Sequence, residues 1–174
     1  MSFTIQDFFM RGLKREIPVL LEDGEHQIEL GPGITKTPNC YYLDLDWDDT
    51  DLSGESWNGD EEALPFSDNS IDTIHAYSIL EHVKDPIFLL KECQRVLRYG
   101  GHINIVVPHY TSECAFRDLD HKFQFSESTW KNTFNNKWYK KGKEGWEFEI
   151  HANFIMGILQ RHNCIFTQLV KVKR

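Results

Sequence analysis

Residues 70–108, "SIDTIHAYSILEHVKDPIFLLKECQRVLRYGGHINIVVP", leave this chain few folds to choose from. The stretch reads as strand, helix, strand. "SIDTIHAY", 70–77, is a strand, and "PFSDNS" before it is turn chemistry. Asp85-Pro86 starts a helix, because Asp accepts from the unpaired N–H groups of the first turn and Pro is tolerated at the first helical position. Ile87, Leu90, Cys93, Val96 and Leu97 then share one apolar face, and Gly100-Gly101 is expected to end the helix. "HINIVVP", 102–108, is apolar almost throughout, as expected of a strand covered on both faces inside a parallel sheet. A parallel pair needs a crossover, and the helix supplies it. The chain is therefore expected to be one α/β domain with a mostly parallel sheet.

The flanking segments extend that sheet. Residues 1–24 read as an N-terminal helical segment interrupted near Pro18. A first strand is expected over 26–30 and a second over 40–45, with an acidic loop over 46–63. Residues 109–125 form a connection too long for a turn, and Ser126 caps a helix through about Phe134. "WEFEIHANF", 146–154, alternates strictly, with Trp146, Phe148, Ile150, Ala152 and Phe154 on one face. Together with a last strand at 164–174 it suggests an antiparallel pair at the sheet edge. At 174 residues the chain is long enough for a real core, and its 40% apolar content argues against disorder.

Composition also narrows location and partners. No apolar run approaches the ~18 residues of a membrane span, and the charged N-terminal segment does not read as a signal peptide. Cys40, Cys93, Cys114 and Cys164 are widely spaced, which fits free thiols in a reducing cytoplasm. Residues 1–120 carry 9 Lys/Arg against 23 Asp/Glu, net −14, whereas 121–174 carry 10 against 4, net +6. The base is densest in "KWYKKGK", 137–143, either a solvated loop or a lip that attracts an anionic substrate. The overall acidity argues against a protein that tracks a nucleic-acid backbone.

"IELGPGITKTPNCYYLDLDW", 28–47, looks like half of a nucleotide-binding unit. Glycines after a first strand let a ligand approach the backbone, and an acid ending the second strand can accept from ribose hydroxyls. Yet Lys36 stands where a third glycine belongs, and there is almost no room for a helix to hold a pyrophosphate. The parts that hold phosphates are missing and the parts that hold a ribose are kept. S-adenosylmethionine, a nucleoside cofactor without phosphates, would fit; a dinucleotide oxidoreductase is the weaker reading.

The block "GDEEALPFSDNSIDTIHAYSILEHVKDPIFLLKECQRVLRYGGHINIVVPH", 59–109, resembles the central block of class I S-adenosylmethionine-dependent methyltransferases, in the methyltransferase-11-like type. With 28–47 and "FRDLDHKFQFSE", the resemblance covers most of residues 28–127, and the short first connection is similar to a subgroup with a shortened first helix. The resemblance implies a Rossmann-like fold and S-adenosylmethionine as cofactor. It implies that Glu29, Gly31 and Gly33 line the methionine end, that Asp44 binds the ribose hydroxyls, and that Asp60 accepts from the adenine amino group with Glu61 beside it. Ser78 and Ile79 match positions under the methionine moiety.

Methyl transfer from a sulfonium is an in-line displacement with a neutral leaving group, so alignment can supply much of the rate and a base is needed only if the acceptor must lose a proton. His109 and His121 are the candidate bases, the alternative for His109 being a surface or capping role. His82, Arg117 and Asp118 are candidate acceptor contacts, so 109–135 is expected to be the substrate-side loop and helix. No metal is expected, although Glu81 with His82 is a pair that could join a metal site. The Asn/Asp-Pro-Pro-aromatic run of adenine-amino methyltransferases and the Pro-Cys nucleophile of cytosine-5 enzymes are both absent. A small-molecule acceptor is expected, such as a metabolite or sugar; the alternative is an inactive methyltransferase-like binding or assembly module.

Overall fold

The computed structural model describes residues 26–34, 36–49, 52–135, 145–157 and 162–173. The expected N-terminal helices and the basic run 137–143 lie outside the described residues. Among these residues seven strands form one sheet, in the order β3-β2-β1-β4-β5-β7-β6. They are β1 (Gln27–Leu30), β2 (Tyr41–Asp44), β3 (Gly54–Ser56), β4 (Ile71–Tyr77), β5 (Leu97–Pro108), β6 (Phe148–Met156) and β7 (Cys164–Lys171). β1 to β5 are mutually parallel, and β7 runs antiparallel to both β5 and β6. The expected antiparallel pair thus stands at the β6 edge, with the reversed strand inserted inside it.

Helix α1 (Pro86–Val96) is the expected crossover between β4 and β5. Asp85 Oδ1 accepts from the amides of Ile87 at 2.9 Å and Phe88 at 3.0 Å, which fixes the first turn. Leu89, Leu90, Cys93 and Val96 pack on Ile74, Ala76, Ile103 and Ile105 of the sheet. Arg95, near the end of α1, donates to Glu92, to Asp68 and to the carbonyls of Leu64 and Phe66, so the turn before β4 is tied to the helix. Helix α2 (Glu127–Asn135) sends Trp130 and Phe134 into the same core, where Trp130 stacks between Phe125 and Phe134 and Phe134 meets Trp146 and Phe148 edge-on. All four cysteines are buried and none is in a disulfide. No helix of the described residues is long and apolar enough to cross a membrane.

Three expectations need correction. The acidic stretch 46–63 is not all loop, because Gly54–Ser56 adds β3 beside β2. Helix α1 ends at Val96, not at the glycine pair: Leu97 is already extended and Gly100 turns the chain within an irregular start of β5. The strict alternation of 146–154 breaks at His151, where a bulge shifts the pairing from Ile150↔Leu169 to Ala152↔Gln168. One extra residue moves every following side chain to the other face. Phe148 and Ile150 therefore face the helices, whereas Phe154 meets Phe166 on the opposite side and is half exposed.

At Gly101 β4 and β5 approach too closely for a side chain. A Cβ there would lie 2.8 Å from the Asp72 carbonyl oxygen, 3.0 Å from that of Arg98 and 3.2 Å from that of Ile71. Gly101→Ala is expected to cost about 1–3 kcal/mol, the usual range for overpacking. The check is the urea midpoint of the purified variant, and an unchanged midpoint would show that the strands part without strain.

Candidate cofactor and acceptor site

Ligands of open α/β sheets bind outside the carboxyl ends of the strands, and a cavity of about 420 Å³ opens there beyond β1, β2 and β4. β1 runs into Gly31, whose φ of +58° is left-handed and whose amide donates to the Leu43 carbonyl at 2.8 Å. A Cβ at Gly31 would lie 3.0 Å from Ile79 Cδ1, so both the backbone twist and the space favour glycine. Gly33 follows, also left-handed, and its amide donates to Asp44 Oδ2 at 3.3 Å. Asp44 ends β2 and lines the cavity, as do Gly31 and Gly33.

The second wall comes from the stretch after β3. Trp57, Asn58, Gly59 and Asp60 all line the cavity. The Trp57 ring is buried, its indole N–H donates to the Ala63 carbonyl at 3.3 Å, and a Cβ at Gly59 would meet it. Asp60 Oδ1 accepts from the Lys84 amide at 2.6 Å, and Oδ2 lies 3.5 Å from Lys84 Nζ. Glu61 is exposed and outside the lining; its amide donates to the Asn58 carbonyl at 3.1 Å and its carboxylate stands 3.8 Å from Lys84 Nζ. The floor is Ser78 and Ile79. Ser78 is a non-glycine residue at φ +54°, held by its amide donating to the Val106 carbonyl at 2.8 Å. Such a conformation costs energy and is found where the surroundings impose it.

Glu29 is not part of the lining. It is buried, and its carboxylate accepts from the Thr37 amide at 2.6 Å and the Thr37 hydroxyl at 3.1 Å. It holds the connection that carries the two glycines.

The third side is built by the connection after β5. The Lys122 amide donates to the Glu81 carbonyl at 2.7 Å, and Lys122 Nζ donates to the His82 carbonyl. These bonds bring Asp120 and Lys122 to the cavity rim beside His82. His82 Nδ1 donates to Asp120 Oδ2 at 3.2 Å. His121 packs edge-on to His82, ring centres 4.6 Å apart, and its Nδ1 donates to the Ala115 carbonyl at 3.3 Å. Burial holds the His121 pKa below the usual histidine value. Arg117 and Asp118 are exposed and outside the lining; Asp118 shapes its own turn by accepting from the Asp120 amide at 3.0 Å. Glu81 is buried in the turn after β4, and neither carboxylate oxygen has a hydrogen-bond partner among the described residues. Burial pushes its carboxyl up to about 8; Ser78 and its own amide oppose this weakly, without reaching hydrogen-bonding geometry.

His109 stands elsewhere. It lines a second, more open cavity of about 620 Å³, with Glu127 and Ile155, and that cavity shares no residue with the first. Its ring is buried, with Nδ1 2.6 Å from Thr111 Oγ1 and Nε2 3.2 Å from Glu127 Oε2. The cavity thus gathers Gly31, Gly33, Asp44, Asp60, Ser78 and His82 of the expected set, places His121 directly behind His82, and leaves His109 apart. Trp57, Asn58, Asp120 and Lys122 escaped sequence reasoning. The aromatic ring and Asn-Gly just before Asp60 were the only local signal for the first two.

Strand order and site position give a Rossmann-like α/β fold with its cavity outside the carboxyl ends of the parallel strands. Residues 42–105 match a family model described as a methyltransferase domain. A 59-residue segment, 33% of this chain, is 32% identical to an uncharacterised methyltransferase of Schizosaccharomyces pombe. The chain spans a minor part of the curated relatives it matches, 21% of that protein and 16% of another. Its fold is similar to that of a chain in the complex between the Haloferax volcanii Trm112 methyltransferase activator and a candidate methyltransferase, with TM-score 0.69, 15% identity, and coverage of 95% and 89% of the two chains. An S-adenosylmethionine-dependent methyltransferase of Mesorhizobium loti gives TM-score 0.64, 16% identity, and coverage of 97% and 98%. Residues 42–105 thus match a methyltransferase domain, on a fold shared with S-adenosylmethionine-dependent methyltransferases.

Glu29 provides a test of how the site is held. Glu29→Ala leaves the buried Thr37 amide without this acceptor and is expected to cost about 1–3 kcal/mol. Glu29→Gln keeps one oxygen acceptor and should lose less. Denaturation midpoints of the two variants check this, and equal midpoints would show that the Thr37 contacts do not hold the connection.

Proposed function

We propose that the protein transfers a methyl group from S-adenosylmethionine to a small-molecule acceptor, such as a metabolite or sugar. The observation that carries this reading is the convergence of Gly31, Gly33, Asp44, Asp60 and Ser78, from separate stretches of chain, on one cavity at the carboxyl ends of β1, β2 and β4. The chemistry of the donor set fits the cofactor. Two left-handed glycines bring bare backbone to the cavity, and Asp44 uses Oδ2 on Gly33, which leaves Oδ1 for ribose hydroxyls. Asp60 and Asn58 sit at the adenine end, where Asp60 is already oriented by Lys84. The cavity volume is in the range of ordinary small-molecule sites, about 300–1,000 Å³.

Bound there, the cofactor supplies an electrophilic methyl group on a sulfonium that leaves as a neutral thioether. The work left to the chain is to orient and to exclude water. The Ser78–Ile79 turn supports the methionine end, and His82, Asp120 and Lys122 form the rim on which an acceptor rests. Of the two candidate bases, His121 adjoins this rim, whereas His109 has both ring nitrogens occupied and lines the other cavity. That supports a positioning role for His109, which ties the end of β5 to α2 through Glu127.

Calorimetric titration with S-adenosylhomocysteine, with NAD as control, tests the reading. One equivalent of S-adenosylhomocysteine should bind, and NAD should not. Asp44→Ala removes hydrogen bonds to a charged acceptor, each worth about 1.5–3 kcal/mol, so affinity should fall roughly tenfold or more. Unchanged affinity would remove Asp44 from the site, and failure of the wild-type protein to bind would end the methyltransferase reading.

A further inference from the structure

We propose that Glu81, His82 and His121 form a binding site for a divalent first-row transition-metal ion, placed beside the acceptor rim of the cavity. One ligand atom from each of the three residues lies within 4.8 Å of the others. Oxygen and nitrogen ligands at about 2.0–2.2 Å from one tetrahedral ion stand about 3.3–3.6 Å apart, so the widest pair would close by at most roughly 1–1.5 Å.

The chain holds the three residues in that relation. Glu81 and His82 are adjacent in the turn after β4, which is closed by the His82 amide donating to the Ile79 carbonyl at 2.9 Å. His121 is brought to them by its neighbour Lys122, whose amide donates to the Glu81 carbonyl at 2.7 Å. Both imidazoles are prepared in the same way. His82 Nδ1 donates to Asp120 and His121 Nδ1 donates to the Ala115 carbonyl, which leaves Nε2 of each ring with a lone pair. Metal-bound histidines are oriented in this manner, with the second ring nitrogen donating to a carboxylate or carbonyl.

Glu81 gives the independent observation. The residue is 1% exposed, and neither carboxylate oxygen has a hydrogen-bond partner among the described residues. A buried carboxylate without a partner is costly and rare, and a cation held with the two imidazoles would satisfy it. Two imidazoles and one carboxylate suit zinc, cobalt, iron or nickel better than magnesium or calcium. Three protein ligands leave positions open for a water or an acceptor oxygen. Since His82 lines the cavity, those positions belong to the acceptor side, a placement that rests on the methyltransferase reading. An ion of this kind acidifies a bound water towards neutral pH; an acceptor hydroxyl bound in its place would be acidified in the same way and would give its proton to solvent as its oxygen takes the methyl group, so His121 would serve as a ligand and not as the base.

The test uses the full chain stripped of metal by chelator and dialysis, then titrated with Co²⁺ followed by visible absorption, and with Zn²⁺ by calorimetry. One equivalent of each should bind, with the Co²⁺ spectrum of a site containing nitrogen ligands. Glu81→Gln and His121→Ala should each weaken binding at least tenfold. Asp120→Asn, at an exposed rim carboxylate that orients His82 and would not itself bind the ion, should weaken it about tenfold, in the range seen for such supporting partners. S-adenosylhomocysteine titration of the same samples shows whether each variant is folded and keeps the two readings apart. Variants that still bind S-adenosylhomocysteine but lose Co²⁺ support the site. Wild-type protein that binds neither Co²⁺ nor Zn²⁺, or that binds them as well in the three variants, overturns the metal site whatever the cofactor result. Metal binding without S-adenosylhomocysteine binding would support the site and sink the methyltransferase reading instead.

Discussion

Two hydrogen bonds from Thr37 to the buried carboxylate of Glu29 replace a missing helix. In a parallel pair the crossover usually carries a helix whose apolar face anchors both strands. Here β1 and β2 are parallel neighbours, with Ile28 opposite Tyr41 and Leu30 opposite Leu43, yet only residues 31–40 connect them. So short a connection must turn sharply, and Gly31, Gly33 and Asn39 all adopt left-handed backbone. With no apolar face to bury, it is anchored by polar contacts. Thr37 donates to Glu29 through its amide and hydroxyl, and its carbonyl accepts from the Tyr42 hydroxyl at 2.6 Å. Bonds to an ionised carboxylate are about twice as strong as neutral ones. The same economy bears on the proposed ligand. Among the described residues no helix N-terminus faces the cavity after β1, so a pyrophosphate would find little to hold it there, whereas Gly31, Gly33 and Asp44 line the cavity where a nucleoside is proposed to bind.

Much of this was legible in the sequence, for a physical reason. The stretch 70–108 carries its signals locally: an Asp-Pro cap, a helical apolar face, and a strand apolar on both sides. Local signals survive in any tertiary context, so α1 starts where Asp85 says it does. The end of α1 was misplaced because a glycine pair reads equally well as a helix stop or as a turn between strands. Gly101 is glycine because β4 lies against it, which is a long-range fact. β3 was invisible because its three residues are partly or fully exposed and carry no pattern; they are a strand only because Tyr42, Leu43 and Asp44 lie alongside. The bulge at His151 is equally silent, since the alternation continues through it in the sequence and breaks only against β7.

The site shows the same division. That Gly31, Gly33, Asp44 and Asp60 line one cavity was legible because the order of the motifs fixes them on successive strand ends. Asp120 and Lys122 were not, because what places them is the bond from the Lys122 amide to the Glu81 carbonyl, across some forty residues of chain. His109 illustrates the opposite case. Its position after the central strand β5 is right for a catalytic group, but the ring turns towards Thr111 and Glu127. Sequence position fixes where a backbone goes and says much less about where a side chain points.

Glu29 and Glu81 sharpen that distinction. Both are 1% exposed, and the unfolded chain hydrates both, so folding strips water from each. Glu29 recovers the loss through Thr37, and Glu81 has no hydrogen-bond partner for either oxygen among the described residues. Stability alone does not account for such a residue, since an apolar side chain of similar volume in a buried position is usually tolerated or stabilising. The turn that carries it breaks a second local rule at Ser78, in left-handed backbone three residues earlier. Violations of this kind persist where surrounding structure imposes them and function keeps them. The imposition is visible. β5 accepts from the Ser78 amide, Asp60 accepts from the Lys84 amide, Asp85 caps α1, and Lys122 donates to the Glu81 carbonyl. Asp60 lines the cavity on the β3 side and Lys122 on the side of the connection after β5, so Ser78–Asp85 is the segment to which both walls are tied.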